Sequence, residues 1–139
     1  MFNTDYTNAV YNAARKLNVP ASWIDTIFFK ESSRNPQKIN GIGASGLFQL
    51  TETTASDYGI NINEFRKMTA LEQSDVFVSL VNKRKSGNID SLGKLYIINF
   101  LPLYQNEPDY FVVPRKYVNN NQGLDTDSNG QITIREIKD

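Results

Sequence analysis

Apolar residues recur every three or four positions over most of this chain, and alternating runs are few and short. That period predicts helices. Val10, Ala13, Ala14 and Leu17 mark a first amphipathic helix over residues 4–17, ending near Asn18 and Pro20. Ser22, with Asp25 three residues on, reads as a capping box for a second helix, whose stripe of Trp23, Ile24, Ile27 and Phe28 continues to about Ser32. Glu31 then falls in its last turn. A short helix is expected from about Thr51 to Tyr58, stopped by Gly59. Thr69 with Glu72 opens a longer one through Phe77, Leu80 and Val81, with Lys83, Arg84 and Lys85 before Gly87. The stretch "SLGKLYIINFL" is apolar almost all round, which predicts a buried helix closed by Pro102. "YFVVP" and "QITI" are the only strand-like runs, so the expected class is mainly α.

Between these elements, "NPQKINGIGASG" packs Asn, Pro and Gly into an ordered loop, and "NNNQGLDTDSNG" is polar and turn-prone. With 139 residues, 40% of them hydrophobic, the chain has material for one core. Fifteen basic residues balance fifteen acidic ones, and no basic block marks a nucleic-acid or lipid footprint, so neither nucleic acid nor membrane is an expected partner. The absence of Cys and His matters more. It removes thiol nucleophiles and the commonest neutral-pH base, so acid–base chemistry falls to carboxylates, Tyr or Lys. No stretch is long enough to span a membrane, and "MFNTDYTNAVYNAARKL" lacks the basic start and apolar core of a signal peptide.

Glu31 is the acid that invites a chemical reading. As a bare carboxylate near a helix end it could be surface decoration. The negative end of the helix dipole and the apolar stripe of Ile27 and Phe28 would both disfavour its ionised form, however, as a proton donor requires. Glu31-Ser32, Asn35-Pro36 and Gly43-Ala44-Ser45-Gly46-Leu47-Phe48-Gln49 stand in gapless order, followed by Thr54-Ala55. In these motifs the chain resembles the soluble-type (SLT) lytic transglycosylases, enzymes of lysozyme-like α fold that act on peptidoglycan.

The resemblance implies that Glu31 is the single acid/base, protonating the bond between N-acetylmuramic acid and N-acetylglucosamine and then helping the muramic 6-hydroxyl close a 1,6-anhydro ring. One carboxylate suffices when the nucleophile is the sugar's own hydroxyl. It also implies substrate contacts at Ser32, Asn40, Ser45, Gly46, Phe48 and Gln49. The glycines would allow close approach of the sugar, Phe48 would form an apolar wall, and Gln49 would hydrogen-bond the glycan. Asn40 stands where the family often has Ser. The family's later Ala-Tyr-Asn-Ala-Gly motif is matched only by "KLYIINFLP", which offers Tyr96 as the partner of Glu31, or Asn99 as a second contact. Tyr96 equally suits an ordinary core. The form "LYIINFLP" is similar to virion-associated murein hydrolases of tailed phages.

Near the end, "DTDSNGQITIRE" fits a calcium loop position by position. Asp125, Asp127, Asn129, the carbonyl of Gln131 and a bidentate Glu136 would be the ligands, with Gly130 at the sharp turn; an Asx-rich turn without metal is the alternative. A single loop points to a structural Ca2+ rather than a sensor. Tyr117, just before it, is a further candidate contact, to the glycan or to Glu31.

Together these readings predict a lysozyme-like domain over residues 1–118 and a calcium-loop tail over 119–139 packed on it. Peptidoglycan strands are the expected partner, other virion proteins a further one, and a monomer the expected state, located in a phage virion or the host periplasm and cell wall. A hydrolytic lysozyme, with Glu52 or Asp57 as second carboxylate, and an inactive glycan-binding module are the alternatives.

Overall fold

The computed structural model describes residues 4–114 and 131–138. Within them the chain is helical: α1 (Thr4–Leu17), α2 (Ala21–Ser32), α3 (Glu52–Asp57), α4 (Ile62–Phe65), α5 (Ala70–Arg84), α6 (Leu92–Phe100), a 3-10 turn (Pro102–Tyr104) and α7 (Ile134–Lys138). Among the described residues β-pairing is limited to isolated bridges, Ile39 to Ser45, Ser45 to Leu50 and Val112 to Thr133. The chain divides into two compact units, residues 1–83 and 84–139.

In the first unit α1 packs on α2. Ala9, Val10 and Ala13 from α1 and Ile24, Ile27 and Phe28 from α2 are buried, as the three-to-four spacing requires. An aromatic chain extends this core. Tyr6 meets Phe28 edge-on, with centroids 6.3 Å apart; Phe28 meets Phe77 of α5 at 5.3 Å; and Phe48 lies against both Phe77 (5.2 Å) and Phe65 of α4 (5.5 Å). Edge-to-face packing at these separations adds to the area term. α5 starts on the capping box its sequence announces: Thr69 N–H donates to Glu72 Oε1 (2.9 Å), and Glu72 N–H to Thr69 Oγ1 (3.2 Å). Asp5 of α1 adds a remote cap, accepting from the Ala70 N–H at 2.9 Å.

The box expected at Ser22 does not form. α2 begins two residues earlier, with Pro20 at its N-cap and no side-chain cap. Pro20 is preset for the extended backbone of that position, and the Asp25 carboxylate is engaged elsewhere.

In the second unit Ser91 Oγ accepts from Lys94 N–H (3.1 Å) and opens α6, whose Leu95, Tyr96, Ile97 and Ile98 are buried. α7 packs on α6 closely enough that a Cβ on Gly93 would stand 2.9 Å from the Lys138 side chain. α7 therefore shares a compact unit with α6. Gln105 ties the connection, donating from Nε2 to the carbonyls of Arg84 (2.9 Å) and Pro102 (2.8 Å) and accepting from Ser86 N–H (2.7 Å).

Candidate active site

Glu31 stands half-buried in the last turn of α2. The helix ends immediately after it in two successive left-handed residues that are not glycine, Ser33 (φ 54°) and Arg34 (φ 67°). The Ser33 N–H donates to Phe29 O (2.9 Å) and the Arg34 N–H to Phe28 O (3.3 Å), a Schellman-type closure. A β-carbon makes this conformation costly, so other contacts must hold it. Arg34 supplies one. Its guanidinium donates to both carboxylate oxygens of Asp25, at 2.9 and 3.0 Å, and lies 4.7 Å from the Phe29 ring centroid. Tyr6 Oη donates to the same carboxylate at 2.5 Å. The Arg34 guanidinium holds the Asp25 carboxyl below its usual range, with the Tyr6 bond lowering it further. Burial, together with the bond to Asp25, pushes the Tyr6 hydroxyl well above the ordinary tyrosine value.

The glycine loop that follows is held from two sides. On the inside stands Gln73 of α5, fully buried. Its Oε1 accepts from the Leu47 N–H (2.9 Å), and its Nε2 donates to the carbonyls of Pro36 (2.8 Å) and Met68 (3.3 Å). One amide thus joins the two arms of the loop. On the other side Arg66 donates from Nε to Ser45 Oγ (2.8 Å) and from Nη2 to the Gly43 carbonyl (2.9 Å) and Glu52 Oε1 (3.4 Å). Ser45 and Leu50 exchange backbone bonds of 2.9 and 2.8 Å, which closes the loop into a small hairpin.

Several residues expected to touch substrate have structural work instead. Ser32 is 1% exposed, and its Oγ bonds the carbonyls of Phe28 and Leu47, both at 2.9 Å, lashing the end of α2 to the loop. Ser45 is fully buried under Arg66. Phe48 is 2% exposed and belongs to the aromatic core, not to a cleft wall. At Gly46 (φ +79°) a Cβ would lie 2.5 Å from Gln73 Oε1 and 2.7 Å from Phe65, so the glycine admits α5 and α4 rather than a sugar. The sequence pattern rightly marks these positions as special, but the close neighbour is protein.

Asn40 and Gln49 remain at the surface of the loop. Asn40 is exposed; its Oδ1 accepts from the N–H groups of Ile42 and Ala44, both at 3.0 Å, leaving its amide protons for a ligand. Gln49 is half-buried in a left-handed conformation (φ 55°), and its Nε2 donates to the carbonyls of Gly46 (3.0 Å) and Lys38 (3.2 Å). That geometry gives its amide oxygen the acceptor role toward any ligand.

Tyr96 and Asn99 lie on α6 in the second unit. Tyr96 is 7% exposed and stacks on Phe100 at 5.9 Å; Asn99 is half-buried. Of the lysozyme alternatives, Glu52 pairs with Arg66 and Asp57 is exposed on α3. Tyr117, Asp125, Asp127 and Asn129 lie outside the described residues. Gln131 and Glu136 are within them. The Ile132 carbonyl accepts from the Val113 N–H at 2.8 Å, α7 starts at Ile134, and Glu136 Oε1 accepts from the Thr133 N–H at 3.0 Å.

Sequence reasoning missed Arg66, Gln73 and the Asp25–Arg34 pair. For Gln73 a signal existed: it falls four residues before Phe77 and seven before Leu80, on the buried stripe of α5, where a polar residue needs a buried partner.

An acid in the last turn of α2 thus stands directly before a loop fixed by polar contacts from Gln73 and Arg66, in mainly helical surroundings. The family described as Transglycosylase SLT domain matches residues 8–77, half of the chain, and the chain belongs to that family. Peptidoglycan is the substrate class this membership implies, and the helical architecture fits the lysozyme-like fold. No solved structure matches the chain.

Proposed function

We propose that this protein is a peptidoglycan lytic transglycosylase in which Glu31 is the sole general acid and base. The observation that carries the reading is the place of Glu31: last turn of α2, inside the matched residues, directly before a loop fixed by Gln73 and Arg66. The helix terminus favours the uncharged acid. Glu31 gives its proton to the glycosidic oxygen as the bond from muramic C1 breaks, the N-acetyl group assisting. The resulting carboxylate takes the proton of the muramic 6-hydroxyl while that oxygen bonds C1, leaving a 1,6-anhydro end and no net uptake of water.

Asn40 donates to the glycan and Gln49 accepts from it in this reading. The C-terminal loop holds one Ca2+ through Asp125, Asp127, Asn129, Gln131 and Glu136. The described half supports this, because α7 starts at position ten of the loop and Glu136 falls in its first turn, where the twelfth ligand belongs. Ca2+ there supplies cross-linking of the tail, not chemistry. Degradation of the wall by a tailed phage, from the virion or during lysis, is the setting that the Asn-rich tail and "LYIINFLP" favour.

Mass spectrometry of soluble products from purified sacculi tests the proposal. Anhydro-muropeptides are expected. Reducing-end products, one water heavier, would instead make the protein a lysozyme, and binding without products an inactive module.

A further inference from the structure

Glu31 is flanked by two residues that reach each other across it. Asp25 lies six positions before it on α2, and Arg34 three positions after it, beyond the helix end. The bidentate pair between them, at 2.9 and 3.0 Å, closes a chord around the turn that carries Glu31. Its members are each less than one-third exposed. Tyr6 anchors the chord to α1 through its bond to Asp25 Oδ1, and Phe29 supports the guanidinium face.

The backbone needs such a tie. Ser33 and Arg34 adopt left-handed angles that their β-carbons resist, and the last turn of an untied helix frays. A general acid tolerates little of that, because displacement of about 1 Å can cost on the order of a hundredfold in rate. The loop that bears Asn40 and Gln49 joins the end of α2 through the Ser32 bond to Leu47, but has further ties of its own to Gln73 of α5 and to Arg66 after α4.

We infer that Asp25 and Arg34, anchored by Tyr6, are positioning residues that fix the direction of the Glu31 side chain and leave substrate binding to the loop. The inference rests on Glu31 being the catalytic acid. Loss of the pair therefore lowers kcat and spares KM, a split that a merely structural ion pair does not produce. Lysine at position 34 keeps the charge but not the two-pronged geometry, and does not restore turnover.

The test is steady-state cleavage of soluble glycan strands by Asp25→Asn, Arg34→Gln, the double variant, Arg34→Lys and Glu31→Gln. Each is normalised to the folded fraction from circular dichroism. Both single variants should lose about tenfold in kcat with KM within about twofold, the double variant no more than either single one, and Arg34→Lys nearly as much. Should the Asn or Gln variants fold poorly, Arg34→Lys and Tyr6→Phe carry the test, with the same split expected and a smaller loss for Tyr6→Phe. Wild-type kcat in the clamp variants beside a dead Glu31→Gln would overturn the positioning role and leave the acid in place. An active Glu31→Gln would overturn both.

Discussion

Residues 1–83 and residues 84–139 are both helical, yet they are held together by different means. In the first unit, buried and half-buried side chains bond to backbone across long sequence distances: Gln73 to Pro36 and Leu47, Ser32 to Leu47, Arg66 to Gly43. Each bond fixes part of the loop between α2 and α3. In the second, Gln105 bonds backbone on either side of α6, and Thr133 and Glu136 cap a five-residue helix. The family match ends at residue 77, inside the first unit. All four of these first-unit ties lie within the matched residues.

Breaking the first unit should therefore cost most. Gly46→Ala puts a β-carbon against a Gln73 amide that is itself locked by hydrogen bonds, at a φ that side chains resist. A loss of about 3 kcal/mol is expected, read as a fall in the urea midpoint, together with loss of activity in the folded fraction. In the second unit the largest effect should come from the Ca2+ proposed for the C-terminal loop. Removing Ca2+ with EDTA from a site filled to about a hundred times its Kd removes about 2.7 kcal/mol, and hydrogen exchange should rise in 84–139 while the amides around Gln73 stay protected. Equal exchange in both units would remove the distinction. Thr133→Ala, which takes away one half of the α7 capping box, should lower stability by about 1 kcal/mol, seen in chemical denaturation.

A smaller effect sharpens the comparison through pH. Asp25 titrates below its usual value in the folded protein, chiefly because of Arg34, so the stability it contributes is present above the unfolded value near 4 and is lost as pH falls through the folded one. Between about pH 5 and 2, wild-type Tm should fall by ~3 °C more than that of Asp25→Asn. Parallel curves would contradict the assignment.

The helices were legible because burial follows period: α1, α3, α5 and α6 lie where apolar spacing and the cap and stop residues put them. α4 and α7 were not, since helices of four and five residues carry too few turns for a period to show. The glycine loop announced itself as unusual, but sequence alone does not say whether a missing β-carbon makes room for a ligand or for another part of the chain. Gly46 makes room for Gln73 and Phe65. Likewise Asp25, at the right spacing for a cap, is taken by a partner nine residues away, which no local pattern encodes.

The proposed chemistry stands or falls on Glu31. Initial rates of soluble product release from sacculi, for wild-type protein and Glu31→Gln at matched folded concentration, test it most directly. Loss of a general acid that has no second carboxylate to share its work should lower the rate by at least about a hundredfold, with the melting curve unchanged. A Glu31→Gln variant that keeps more than about a tenth of wild-type activity would contradict the account and send the search for the acid elsewhere in the chain.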